Sequence, residues 1–121
     1  IAWKPYREAV RAVNDSMPFL EAAKKAVVLC ADPNKGARDT LPVPGIDIAD
    51  RLKRHGISAT KESMNASGIS VGDLLLSRAA DESSDLIVCG AYGRPRLREL
   101  MMGGVTQHLL RHMTVPVLMS H

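Results

Sequence analysis

Asp85-Leu86-Ile87-Val88-Cys89-Gly90-Ala91-Tyr92-Gly93-Arg94-Pro95-Arg96-Leu97-Arg98-Glu99-Leu100-Met101-Met102-Gly103-Gly104-Val105-Thr106 is the stretch around which the rest of the chain is arranged. Asp85 to Cys89 is a short run without polar alternation, the signature of a strand buried on both faces, as in a parallel sheet. Val105 to Met113 has the apolar spacing of a short amphipathic helix. A buried strand therefore ends in one glycine pair, crosses a basic loop and enters a helix through a second glycine pair. Glycine lets backbone N–H groups come close to a phosphate, and the free N–H groups at a helix start attract negative charge. Gly90, Gly93, Arg94, Gly103, Gly104, Val105 and Thr106 are the candidate anion-binding residues, with Arg96 and Arg98 in the same loop.

Upstream, the same alternation repeats. Ile1 to Trp3 reads as the tail of a first strand. Pro5 opens a helix carried by Ala9, Val10, Val13 and Met17, which Pro18 ends or kinks before a further turn over Phe19 to Ala23. Ala26 to Ala31 is a second buried strand. Asp32 to Pro44 is rich in proline and glycine and reads as a loop long enough to act as a lid. Ile46, Ala49 and Leu52 mark a helix closed by His55 and Gly56. Ile57 to Glu62 alternates as an edge strand, and Ser70-x-x-Asp73 is a capping box for a helix carrying Leu75, Leu76, Ala79 and Ala80. Val115 to Met119 is the last strand. Pro116 within it places that strand at a sheet edge, because proline cannot donate to a ladder.

Alternating strands and helices predict one α/β domain over residues 1–121, an open parallel sheet with helices on both faces joined by right-handed crossovers. Ligands of such sheets bind beyond the carboxyl ends of the strands. The chain has 121 residues, 45% hydrophobic, 24% charged and only 3% aromatic, with a net charge of +3. That length suits a single aliphatic core, and a domain of this size buries about 65% of its unfolded surface. No apolar run reaches the roughly 20 residues of a membrane span, and no signal peptide is visible. Cys30 and Cys89 lie inside apolar runs and read as buried reduced thiols, which fits a cytoplasmic setting. The charge is too small and the aromatics too few for nucleic acid to be the expected partner. The chain opens at Ile1 without a methionine, so the expectation is a domain cut from a longer protein, with its first strand incomplete.

Gly90-x2-Gly93-x9-Gly103, followed by Val105-Thr106 and closed by Thr114-Val115-Pro116-Val117-Leu118-Met119, resembles the universal stress protein family. The resemblance is densest over Ala79 to His121. It implies a Rossmann-like sheet of five strands in the order 3-2-1-4-5, a stress-response role, and an ATP-like adenine nucleotide held at the ribose and phosphates by G-x2-G-x9-G-[ST]. Magnesium would arrive only with the nucleotide. It also implies a homodimer, or pairing with a sister domain, through Val115 to Met119. Two positions depart from the pattern. Gly104 stands where nucleotide-binding members have Ser or Thr, and Lys4-Pro5-Tyr6 stands where they have Asp-Gly-Ser, whose Asp contacts adenine. The alternative is a degenerate module of the same fold that dimerises without a ligand.

Other signals carry less. His108 and His112 share a helix face at a spacing used by zinc sites, but no acidic or cysteine partner stands at a matching spacing, so a surface or groove face is expected. There is no Walker A lysine, no G-x-S-x-G and no HExxH, and no nucleophile–base pair can be named. The expected activity is binding rather than catalysis. A KH module is set aside because its GxxG joins two helices, whereas Gly90-x-x-Gly93 follows a strand.

Overall fold

The computed structural model describes residues 1–32, 47–66, 68–92 and 104–121. Four strands form two parallel pairs. Strand β1 (Ala26–Asp32) pairs with β2 (Ala59–Asn65), Ala26 opposite Ala59 and Asp32 opposite Asn65. Strand β3 (Ile87–Gly90) pairs with β4 (Val117–Ser120), Ile87 opposite Val117 and Gly90 opposite Ser120. Ala2 links the pairs by single parallel bridges to Leu29 and Cys89. Its N–H donates to the Val88 carbonyl at 2.8 Å, and the Trp3 N–H donates to the Leu29 carbonyl at 2.9 Å. Among the described residues four strands thus stand where five are expected, and Ile1 to Trp3 supplies a two-sided bridge. Pro5 has no N–H with which to carry a ladder further.

Among the described residues five helices interleave with the strands: α1 (Arg7–Asp15), α2 (Met17–Ala22), α3 (Ile48–Arg54), α4 (Val71–Asp81) and α5 (Gly104–His112). Ser16 separates the first two. It is fully buried, and its hydroxyl donates to the Val13 carbonyl at 3.0 Å. Pro18 then falls in the first turn of α2, where a missing N–H costs no helical bond. Pro5 does not open α1, which begins two residues later. Asp47 caps α3 by accepting the Ala49 N–H at 2.9 Å. The helix ends as its sequence requires. Gly56 has φ +76°, its N–H donates to the Lys53 carbonyl, and the Ile57 N–H donates to the Leu52 carbonyl. That paired closure needs a left-handed residue, which glycine adopts without strain. The capping box forms too: Ser70 Oγ accepts the Asp73 N–H at 3.0 Å.

The core has two halves because alternate residues of a strand face opposite ways. Val28 joins Val13, Leu20, Ile48 and Leu52 beneath α1, α2 and α3. Leu29 joins Leu75, Cys89 and Leu109 beneath α4 and α5. Helices therefore cover both faces, as the alternation predicts. Arg78 of α4 ties the second layer to β2: Nε and Nη2 each donate to Glu62 at 2.9 Å, and Nη2 lies 2.7 Å from Glu82, which also pairs with Lys25.

Two boundaries differ from the sequence reading. The edge strand β2 starts at Ala59 rather than Ile57, because Ile57 is occupied in closing α3. Pro116 precedes β4 instead of lying within it, and its carbonyl accepts the Ile87 N–H at 3.0 Å. Proline keeps its acceptor, so it can begin a ladder from that side. Both cysteines are free, and burial pushes the Cys89 thiol up to about 11. Among the described residues no helix is long and apolar enough to cross a membrane.

Candidate functional site

Parallel pairing puts the carboxyl ends of β1, β2, β3 and β4 on one edge, together with Lys4 after the Ala2 bridge. Helix α5 connects β3 to its parallel neighbour β4. It must run back along the sheet, so its N-terminus belongs to that same edge. There the free N–H groups of its first turn carry partial positive charge.

Gly90 closes β3. A Cβ on it would sit 2.6 Å from the Ala9 nitrogen and 2.7 Å from the Glu8 carbonyl carbon. This glycine is therefore required by the close approach of α1 to the sheet, whatever else it does. Ala91 is buried, and its N–H is taken by the Ser120 carbonyl at 2.8 Å. Tyr92 has φ +59° and is exposed, edge-on to His121 with ring centroids 6.0 Å apart. A non-glycine residue there costs roughly 1–2 kcal/mol, so the chain turns sharply as it leaves the sheet.

Gly104 differs from Gly90. Among the described residues a Cβ on it would meet nothing within 4 Å, so their packing does not require glycine at the start of α5. Val105 packs into the second half of the core, so only its backbone could meet a ligand. Thr106 is 6% exposed, and its hydroxyl does not stand in the open where a Ser or Thr at position 104 would place one. Lys4 Nζ lies 5.2 Å from the centre of the Tyr6 ring, a cation over an aromatic face. Gly93, Arg94 and Gly103, with Arg96 and Arg98, lie outside the described residues, as does most of the proposed lid.

The two histidines of α5 have a partner that their own spacing could not reveal. His108 Nε2 lies 2.8 Å from Asp73 Oδ1, across the gap between α5 and α4. The His108 and His112 rings stack with centroids 4.4 Å apart, and His112 Nδ1 is 3.0 Å from the His108 carbonyl oxygen. Asp73 is oriented by Ser70, whose hydroxyl donates to Oδ2 at 2.6 Å. That bond first, then the two histidines, holds the Asp73 carboxyl below its ordinary range. Among the described residues no group of three His, Cys, Asp or Glu side chains could hold a metal. The useful signal was the capping box, which fixes Asp73 at the head of α4.

Residues 8–121 match the model of the Universal stress protein family. A solved structure described as universal stress protein from Archaeoglobus fulgidus superposes with a TM-score of 0.67 at 17% identity, covering 100% of this chain and 93% of that one. At that identity the likeness is one of fold. No curated protein matches the sequence.

Proposed function

The chain belongs to the universal stress protein family, and on that premise we propose that it binds an adenine nucleotide of the ATP type, phosphates toward the first turn of α5, as a cytoplasmic binding or sensing component of a stress response. The observation that carries this reading is the start of α5: a helix at the carboxyl edge of a parallel sheet, beginning at Gly104, where a side chain would meet nothing within 4 Å among the described residues. Val105 and Thr106 supply N–H groups, and Gly90, Gly93, Arg94 and Gly103 complete the loop. Lys4 adds a positive charge at the same edge. A nucleotide would bring its own magnesium, and no residue set here is assigned to turnover. The five-strand order 3-2-1-4-5 fits this reading, with Ile1 to Trp3 in the central place.

Titration calorimetry with ATP tests it. Wild-type protein is expected to bind, and Gly104→Val is expected to weaken binding roughly tenfold or more by closing the space before the helix. The melting temperature should hold steady, because that side chain meets no neighbour. Equal affinity in the two proteins would exclude this placement.

We also propose a homodimer through β4. Among the described residues β4 pairs only with β3; Val117, Leu118 and Met119 are half-buried, Val117 and Met119 against the second half of the core. Leu110 and Met113, at the end of α5 and just after it, are 46% and 47% exposed. A bare apolar edge invites pairing, and a two-fold contact of one strand with itself is self-complementary. Sedimentation should show a dimer, which Val117→Asp dissociates; because Val117 also packs on the second half of the core, circular dichroism must first show that the variant keeps its fold. A wild-type monomer at high micromolar concentration would refute the assembly.

A further inference from the structure

We propose that Gly72, Asp73 and His108 form an interhelical clasp that fixes the first turn of α5. The clasp has a seat, a hook and an anchor. The seat is Gly72 in the first turn of α4. A Cβ there would lie 2.6 Å from His108 Cδ2, 2.7 Å from Cγ and 2.9 Å from Cβ, so the imidazole occupies the space that only glycine leaves. The hook is a 2.8 Å contact between His108 Nε2 and Asp73 Oδ1, within ion-pair distance but without hydrogen-bond geometry. The anchor is Ser70, which engages Asp73 through both its backbone N–H and its carboxylate. His112 stacks on the outer side of the same ring.

The placement of the clasp gives it a consequence. His108 follows Gly104 by four residues, so the two share one helix face, one turn apart. Gly104 itself meets no neighbour through a side chain, and the core contacts of α5 are made by Val105 and, deeper, Leu109. The face of the first turn that carries Gly104 is thus held from below, by His108 on the head of α4. His108 is a positioning residue: it touches no ligand, and its effect on nucleotide affinity rests on the binding site proposed above.

Amide hydrogen exchange separates this role from general stability. In an α-helix the N–H groups of His108, Leu109, Leu110 and Arg111 donate to the carbonyls of residues 104–107, so they report opening of the first turn. In His108→Ala these four amides are expected to exchange roughly tenfold faster while the amides of α1 are unchanged. His108→Gln, which keeps a polar side chain with an N–H group facing Asp73, should stay within about threefold of wild type. If His108→Ala does not fold, Gly72→Ala, which drives a methyl group into the ring, is read in its place. Unchanged exchange at the four amides, or an equal rise throughout the molecule, would overturn the clasp. ATP calorimetry on the same proteins is expected to show about threefold weaker binding in His108→Ala and near-native binding in His108→Gln. Faster local exchange without ATP binding even in the wild type would leave the clasp standing and defeat the nucleotide reading. ATP binding that is indifferent to a locally opened first turn would defeat the positioning role.

Discussion

Replacing Gly90 with valine is expected to lower the unfolding free energy by about 3 kcal/mol, the upper part of the range for overpacking. The obstacle is backbone. The Ala9 nitrogen at 2.6 Å and the Glu8 carbonyl carbon at 2.7 Å cannot rotate away as a side-chain tip could. Helix α1 must lift from β3, and Ala9, Ala12 and Val13, all buried, would lose their contacts together. Single domains have only about 5–15 kcal/mol in hand, so the loss should appear as a clear fall in the urea midpoint. Gly90→Ala should fall between valine and wild type. A Gly90→Val protein within about 0.5 kcal/mol of wild type would show that α1 does not press on the strand end. The experiment also guards the functional reading, because loss of nucleotide binding in a Gly90 variant would report a displaced helix before it reported a lost phosphate contact.

That example shows what the sequence made legible and what it did not. Local rules were readable wherever the cause was local. The apolar run at Ala26, the Ser70–Asp73 box and the His55-Gly56 helix end each depend on residues within a few positions, and each formed. Gly90 read as a flexible phosphate glycine because its neighbours in sequence are a strand and a loop. Its packing partner, α1, lies some eighty residues upstream and is brought there only by the sheet. His108 was equally opaque. Its acidic partner was sought along its own helix, whereas Asp73 reaches it from α4 through tertiary packing. Pro116 was assigned to the strand interior because the apolar run continues through it. The strand itself begins one residue later, and Pro116 joins the ladder only through its carbonyl, which accepts the Ile87 N–H. The glycine loop itself was the strongest signal for the family and for the site. The same loop shows why a motif and its use are separate matters: Gly104 and Lys4-Pro5-Tyr6 change the donors while leaving the architecture intact.

Putting those donors back is expected to produce the largest gain in ligand affinity. A protein carrying Lys4→Asp, Pro5→Gly and Gly104→Ser should bind ATP on the order of 100-fold more tightly than wild type, since each restored hydrogen bond to a charged or polar group of the ligand is worth about 1.5–3 kcal/mol. The structure favours the serine in particular. Among the described residues nothing lies within 4 Å of a Cβ at position 104, so none of them strains a side chain placed at the head of α5. Pro5→Gly returns a backbone N–H to the edge after the Ala2 bridge. Lys4→Asp is the contested member. It removes a cation that now lies 5.2 Å from the centre of the Tyr6 ring, a contact worth about 0.5–1 kcal/mol at an exposed position, and it replaces positive charge with negative at the edge proposed to receive phosphate. The singles therefore have to be titrated beside the triple. Gly104→Ser alone should tighten binding about tenfold. Lys4→Asp with Pro5→Gly should tighten it further if this edge receives the base. If Lys4 meets a phosphate instead, the same pair should weaken binding, and the two results differ in sign. A folded triple variant with wild-type affinity would mean that these positions do not face the nucleotide, and the placement along α5 would fall with them.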